Sequence, residues 1–142
     1  MSAGATESAS GMLIAAAFFV ALAAVLHGFI FLMESVWWTR PATWRRFGLT
    51  SQADADTTRP LAYNQGYYNL FLGVGAALGL VLYFTGQDAA GAALVLFCTG
   101  SMMLAAIVLL STGARYLRAA LIQGTLPAVG FALFLLGSAA AG

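Results

Sequence analysis

Two ionisable side chains inside one long apolar stretch are the residues of this sequence best suited to chemistry. His27 and Glu34 lie seven residues apart. That spacing is almost two turns of an α-helix, so in one helix they share a face and lie about 10 Å apart along the axis. Such groups are costly in hydrocarbon and must face each other or a wet cavity. The pair therefore predicts proton transfer to or from a small molecule, with Glu34 and His27 as candidate catalytic residues.

Five uncharged polar side chains lie at a similar depth in later apolar segments, and we call them, together with His27 and Glu34, the polar layer. In an α-helix, residues at i, i+3 and i+4 share one face, and three of the five have this spacing. Asn and Gln also serve as hydrogen-bonding groups between membrane helices, at about 0.6 kcal/mol on average, so a structural role stays open. The predicted ligand-binding residues are Asn64, Gln65, Tyr68, Asn69 and Gln123.

The sequence lacks the residues that several other kinds of site require. The chain has one His and one Cys, and without an HExxH motif or a Cys pair we predict no protein-held metal site. It has no Gly-rich phosphate loop and no serine in a nucleophile elbow, so we predict no cofactor. Six arginines, no lysine and a net charge of +1 provide no basic surface for nucleic acid.

The composition indicates which elements hold the polar layer. Of 142 residues, 61% are hydrophobic and only 8% are charged, whereas soluble domains carry about 25% charged residues. The chain is therefore expected to be an integral membrane protein, long enough for four spans of about 20 to 25 residues. We predict an all-α, four-transmembrane-helix bundle as one domain after a flexible N-terminal tail at 1–11. The predicted spans are approximately 12–38, 61–85, 89–112 and 116–139.

The connection between the first two spans is the longest polar segment. Residues Pro41 to Phe47 are expected to form a short amphipathic helix on the membrane surface, with Trp44 and Phe47 inserted. The polar run Thr50 to Thr58 is predicted to be an exposed turn. Pro60 is predicted in the first turn of the second span, where its missing N–H costs nothing.

The arginines predict the orientation of the bundle. All six lie between spans one and two or around the start of span four. The positive-inside rule then places both connections in the cytoplasm and both termini outside, so the polar layer lies towards the cytoplasm. Gly75 and Gly79 form a GxxxG pair, for which packing within one chain is favoured over a dimer face.

Several motifs of the polar layer resemble those of one known family. The sequence from Leu13 to Leu136 is similar to the bacterial membrane family called domain of unknown function 1304. The residues that carry the resemblance are His27 to Glu34 with Trp37, Phe47 to Leu49, Asn64 to Asn69, and Gln123-Gly124 with Pro127. Two features depart from the family pattern: a longer tail before Met12, and Thr125 between Gln-Gly and Pro. The resemblance implies a four-helix protein of the bacterial inner membrane and implies no activity.

Three classes of function are compatible with these residues. The favoured class is a membrane-embedded binding protein or enzyme for a small amphipathic molecule. The second is a small, proton-coupled transporter or channel component, acting as a homo-oligomer. The third is an accessory subunit of a membrane complex. Four short helices without an inverted repeat leave little room for alternating access within one chain. The expected partners are membrane lipid, an amphipathic ligand and, in the second class, further copies of the chain.

Overall fold

Four long helices make up most of the protein. The computed structural model describes residues 3–141, and the prediction of an all-α chain with four membrane spans is confirmed. By length and composition four helices are able to cross a membrane: Thr6–Val36, Gln52–Phe84, Asp88–Ser111 and Ala114–Ala141. The elements in chain order are α1 (Ala3–Phe31) with a π-helical turn (Leu32–Val36), α2 (Pro41–Trp44) with a 3-10 turn (Arg45–Phe47), α3 (Gln52–Phe84), α4 (Asp88–Ser111), and a 3-10 turn (Ala114–Tyr116) leading into α5 (Leu117–Ala141).

The long helices form a ring in chain order. α1 packs against α3 and α5, α4 packs against the same two helices, and α1 and α4 hardly touch across the diagonal. The apolar core fills the half of the bundle remote from the arginine-bearing connections. Its buried members include Val20, Ala76, Val95, Met102 and Phe134. The polar layer lies in the other half.

Glycines allow the helices to approach closely within this one chain. A Cβ atom on Gly75 would lie 2.6 Å from Cys98 Sγ, and one on Gly79 would lie 2.8 Å from Val95 N. Both glycines of the GxxxG pair therefore face α4. The pair serves packing between α3 and α4, as expected for small residues in membrane bundles.

The first and third helices are longer than their sequence predicted. Residues 3–11, predicted as a flexible tail, are helical, and Ala9 is buried; packing in the bundle, rather than helix propensity, therefore stabilises this part of the helix. α3 begins at Gln52, so the prediction of an exposed turn from Thr50 to Thr58 is wrong. Pro60 lies inside the helix rather than in its first turn. The early start follows from an N-cap, since the Ser51 hydroxyl accepts the Asp54 N–H at 3.1 Å.

The short helix in the first connection forms as predicted, but its aromatic residue packs on protein. Trp44 is buried, and its Nε1–H donates to Gln52 Oε1 at 3.2 Å. Trp38 is also buried and donates to the Ala55 carbonyl at 2.8 Å. The predicted insertion of Trp44 into the membrane is therefore wrong. The physical reason is the early start of α3, which supplies an apolar surface and hydrogen-bond acceptors for both indoles.

Candidate functional site

A π-helical turn at the end of α1 holds Glu34. Turns of this kind are rare and occur frequently at functional sites. A Cβ atom on Gly66 of α3 would lie 3.1 Å from Glu34 Cβ, so α3 comes this close because position 66 has no side chain. The neighbouring Ser35 hydroxyl donates to the Tyr63 carbonyl at 2.9 Å. These contacts fix the position of the Glu34 carboxyl against α3.

The polar partner of Glu34 is Asn69. The Asn69 Nδ2 group donates to Glu34 Oε2 at 2.9 Å and to the Gln65 backbone carbonyl at 3.1 Å. Both side chains are 8% exposed. A buried carboxyl without a partner is strongly unfavourable, and this amide satisfies one of its oxygens. The hydrogen bond links α1 to α3 at the level of the polar layer.

His27 lies deeper in the same half of the bundle and is 1% exposed. Its Nδ1 is 2.9 Å from the Ala23 carbonyl oxygen. A carbonyl only accepts, so Nδ1 carries a proton and the neutral ring has its lone pair on Nε2. Every fully buried side-chain nitrogen or oxygen among residues 3–141 has a hydrogen-bond partner. The Nε2 atom, which has no such partner in the described chain, therefore reaches open space.

That open space is a partly open cavity of about 680 Å³ lined by residues of all four long helices. Binding sites for small molecules typically have volumes of about 300 to 1,000 Å³. Each helix lines the cavity over about seven residues, or roughly 10 Å at 1.5 Å per residue. Six residues of the polar layer take part in its wall: His27, Glu34, Gln65, Tyr68, Asn69 and Gln123.

One predicted site residue, Asn64, lies outside the cavity. Asn64 is exposed and does not line the cavity, because it precedes Gln65 by one residue and an α-helix turns by 100° per residue. The structure thus brings six of the seven predicted residues together. It separates Asn64 from them.

The cavity wall mixes polar and apolar side chains, and the residues of the polar layer are concentrated on two of its helices. α1 with its π-helical turn and α3 contribute the carboxyl, the imidazole, two amides and a phenol, together with the apolar side chains of Leu26, Phe29, Ile30, Met33 and Leu72. α4 contributes Ala105, Val108 and Leu109, with Thr112 at the end near the connections. α5 contributes mainly apolar surface and the amide of Gln123. A molecule with both polar and apolar parts matches this wall.

Sequence reasoning overlooked three polar residues at the end of the cavity near the connections. Arg46, Thr112 and Tyr116 line it there. Arg46 was used only to orient the bundle, and the other two lie where helices end. The only available signal was the position of Arg46 directly before the motif Phe47-Gly48-Leu49.

The site contains groups for proton exchange and hydrogen bonding rather than a cluster of metal ligands. Within residues 3–141, no three His, Cys, Asp or Glu side chains come together as a metal-binding group. The Glu34 carboxyl can donate or accept a proton, and Nε2 of neutral His27 can accept one. Both groups face the same cavity.

Comparison with known proteins extends over most of the chain. Residues 21–135 match the family model described as "Protein of unknown function (DUF1304)", which confirms the resemblance inferred from the motifs. The matched segment contains every residue of the polar layer. No curated protein and no solved structure matches the chain.

Proposed function

We propose that this protein, which belongs to the DUF1304 family of proteins of unknown function, binds a small amphipathic molecule and exchanges a proton with it. The family description assigns no activity, so the proposal rests on the site. The protein acts as a multi-pass protein of the bacterial inner membrane, with its cavity towards the cytoplasm. The observation that carries this proposal is the cavity of about 680 Å³ that both Glu34 and His27 line.

The charges and donors of the cavity support a ligand with a hydroxyl, carbonyl or amine group. Gln65, Tyr68 and Gln123 line the cavity, and within residues 3–141 their side chains make no hydrogen bond to another side chain. Polar groups that face a cavity without protein partners are available to a ligand or to water. The apolar wall formed by α4 then covers the hydrocarbon part of the ligand.

Proton exchange assigns separate roles to the two ionisable residues. One oxygen of the Glu34 carboxyl, Oε2, accepts the hydrogen bond from Asn69, so the other oxygen is free to exchange a proton with a ligand. The Nε2 atom of His27 accepts or returns a proton about two helical turns deeper. A pair of groups at two positions is suited to an isomerisation or hydration of the ligand. Binding and release of a protonated ligand requires only Glu34.

A substitution that fills the cavity tests the proposal. Ala105→Trp places an indole in the cavity from the apolar wall, and Ala105 is already open to space rather than packed. We expect native mass spectrometry to detect a small molecule on the wild-type protein and to lose most of it in this variant. Ala93→Trp is the matched control, because Ala93 is an exposed residue of the same helix outside the cavity.

The two variants also define the outcome that contradicts the proposal. If both retain the same small molecules in the same amounts as the wild type, the cavity is not the binding site. If the wild type carries no molecule after gentle extraction and none can be added back from a membrane lipid extract, the binding function itself is rejected.

A further inference from the structure

A second concavity of about 320 Å³ lies beside the cavity, and we call it the vestibule. It is formed by the π-helical turn after α1, the first connection and the segment of α3 from Thr58 to Gln65. Three residues, Glu34, Phe47 and Gln65, line both spaces. The remaining vestibule residues are Trp38, Leu49, Thr58, Leu61 and Ala62.

The vestibule lies where α3 passes from polar to apolar sequence. Thr58 and Arg59 end the polar part of the helix, and Leu61 begins the apolar part. Leu61 is 72% exposed at the rim. In a chain that spans a membrane, such a transition marks the level of the membrane–water interface. An exposed leucine at that level faces lipid.

The chemistry of the vestibule differs from that of the cavity end near the connections. Apart from the carboxyl, the amide and the Thr58 hydroxyl, its lining is aromatic or aliphatic. The Thr58 hydroxyl bonds back to the Asp54 carbonyl at 2.7 Å, which reduces its polarity further. The connection end of the cavity carries Arg46 and Tyr116 instead. The vestibule is thus an approach to Glu34 that does not pass the charged side chain of Arg46.

The wall of the vestibule is held in place by aromatic packing. The rings of Trp38 and Phe47 lie 5.1 Å apart between centroids, and the Trp38 indole is bonded to the Ala55 carbonyl. Phe47 is only partly buried, whereas Trp38 is fixed. Because Phe47 lines both spaces, its ring forms part of the boundary between the vestibule and the cavity.

We propose that the vestibule is the portal by which a membrane-dissolved amphiphile enters from the lipid leaflet, with its polar group reaching Glu34 and Gln65 while its hydrocarbon part passes between Leu61 and Phe47. This rests on the proposed function and narrows the ligand to a lipid-like molecule that reaches the site through the membrane. A water-soluble ligand would enter past Arg46 instead.

Chemical labelling of Glu34 tests the portal. The hydrophobic reagent dicyclohexylcarbodiimide converts membrane carboxyls into stable N-acylureas, which peptide mass spectrometry quantifies. The protein is reconstituted in phospholipid vesicles, and Glu34→Gln identifies the labelled residue. Thr58→Phe narrows the vestibule, and Thr57→Phe is the matched control. Both threonines bond back to their own helix, but Thr57 is exposed and lies outside the vestibule.

We expect wild type and Thr57→Phe to be labelled at similar rates and Thr58→Phe to be labelled about tenfold more slowly, which corresponds to about 1.4 kcal/mol in the barrier. Equal labelling of Thr58→Phe and wild type would overturn the portal. Faster labelling of the wild type by a water-soluble carbodiimide than by the hydrophobic one would also overturn it. Retention of a small molecule in the cavity, measured with Ala105→Trp, is a separate result, so the portal can fail while the binding function stands.

Discussion

The hydrogen bond between Asn69 and Glu34 supports a quantitative prediction about the site. Asn69→Leu removes the Nδ2 donor that bonds both Glu34 Oε2 and the Gln65 carbonyl while keeping the number and branching of the side-chain heavy atoms. Hydrogen bonds to charged groups contribute about 1.5 to 3 kcal/mol in soluble proteins, and side-chain bonds between membrane helices about 0.6 and at most about 1.7. Glu34 also lines the cavity, where water can replace part of the lost bond. We therefore expect Asn69→Leu to lower the free energy of unfolding by about 1 to 2 kcal/mol.

Reversible unfolding in mixed micelles with increasing sodium dodecyl sulfate measures this loss through the three tryptophans. Asn64→Leu is the matched control on the same helix, because Asn64 is exposed and outside the cavity; it should change stability by less than about 0.5 kcal/mol. A double-mutant cycle with Glu34→Leu should give a coupling of about 1 kcal/mol. A coupling near zero, or equal losses at positions 64 and 69, would refute the role of this bond in joining α1 to α3.

Three further predictions concern the frame of the site. In a Cys98→Ala background, a cysteine replacing Asp88 should react with an impermeant thiol reagent added outside the cell. A cysteine replacing Gln52 should not react, and its labelling from outside would contradict the predicted orientation. Gly75→Ala should lower the free energy of unfolding by about 1 to 3 kcal/mol through overpacking against Cys98. Adding Cys98→Ala should restore most of this lost stability in the same unfolding assay. Trp38→Phe should cost about 1 to 2 kcal/mol because it deletes the indole donor to the start of α3, and an unchanged unfolding midpoint would contradict this.

The helical frame and most of the site could be predicted because membrane segments obey strong constraints. Long apolar runs must be helical in hydrocarbon, and depth follows from 1.5 Å per residue. The His27–Glu34 spacing and the i, i+3, i+4 positions of Gln65, Tyr68 and Asn69 then place these groups on inward faces. Estimating depth from the number of residues along the helix did not exclude Asn64 from the site, because adjacent residues have similar depths and differ mainly in their direction around the helix.

The first connection could not be predicted, because its structure depends on contacts between segments distant in sequence. Trp44 lies between Arg40 and Arg45-Arg46 in a polar stretch, and nothing in that pattern shows that α3 begins early enough to bury it. The N-cap at Ser51 starts α3 early. The Ala55 carbonyl in this early segment accepts the Trp38 N–H, and Trp38 and Trp44 are both buried. The π-helical turn at Glu34 could not be predicted either, and the residue that packs closely against it, Gly66, belongs to the next long helix.

The two halves of the bundle differ in a way that stability alone does not explain. In the core half, side chains such as Met102 and Phe134 are completely buried, as expected for close-packed interiors. In the other half, α4 presents the small residue Ala105 to a cavity that larger apolar side chains would fill, and filling cavities usually stabilises a protein. The Asn69–Glu34 bond already links the end of α1 to α3. Additional amides, a phenol and an imidazole around an open cavity reduce stability relative to an apolar core, so their arrangement supports the proposed binding of a small molecule.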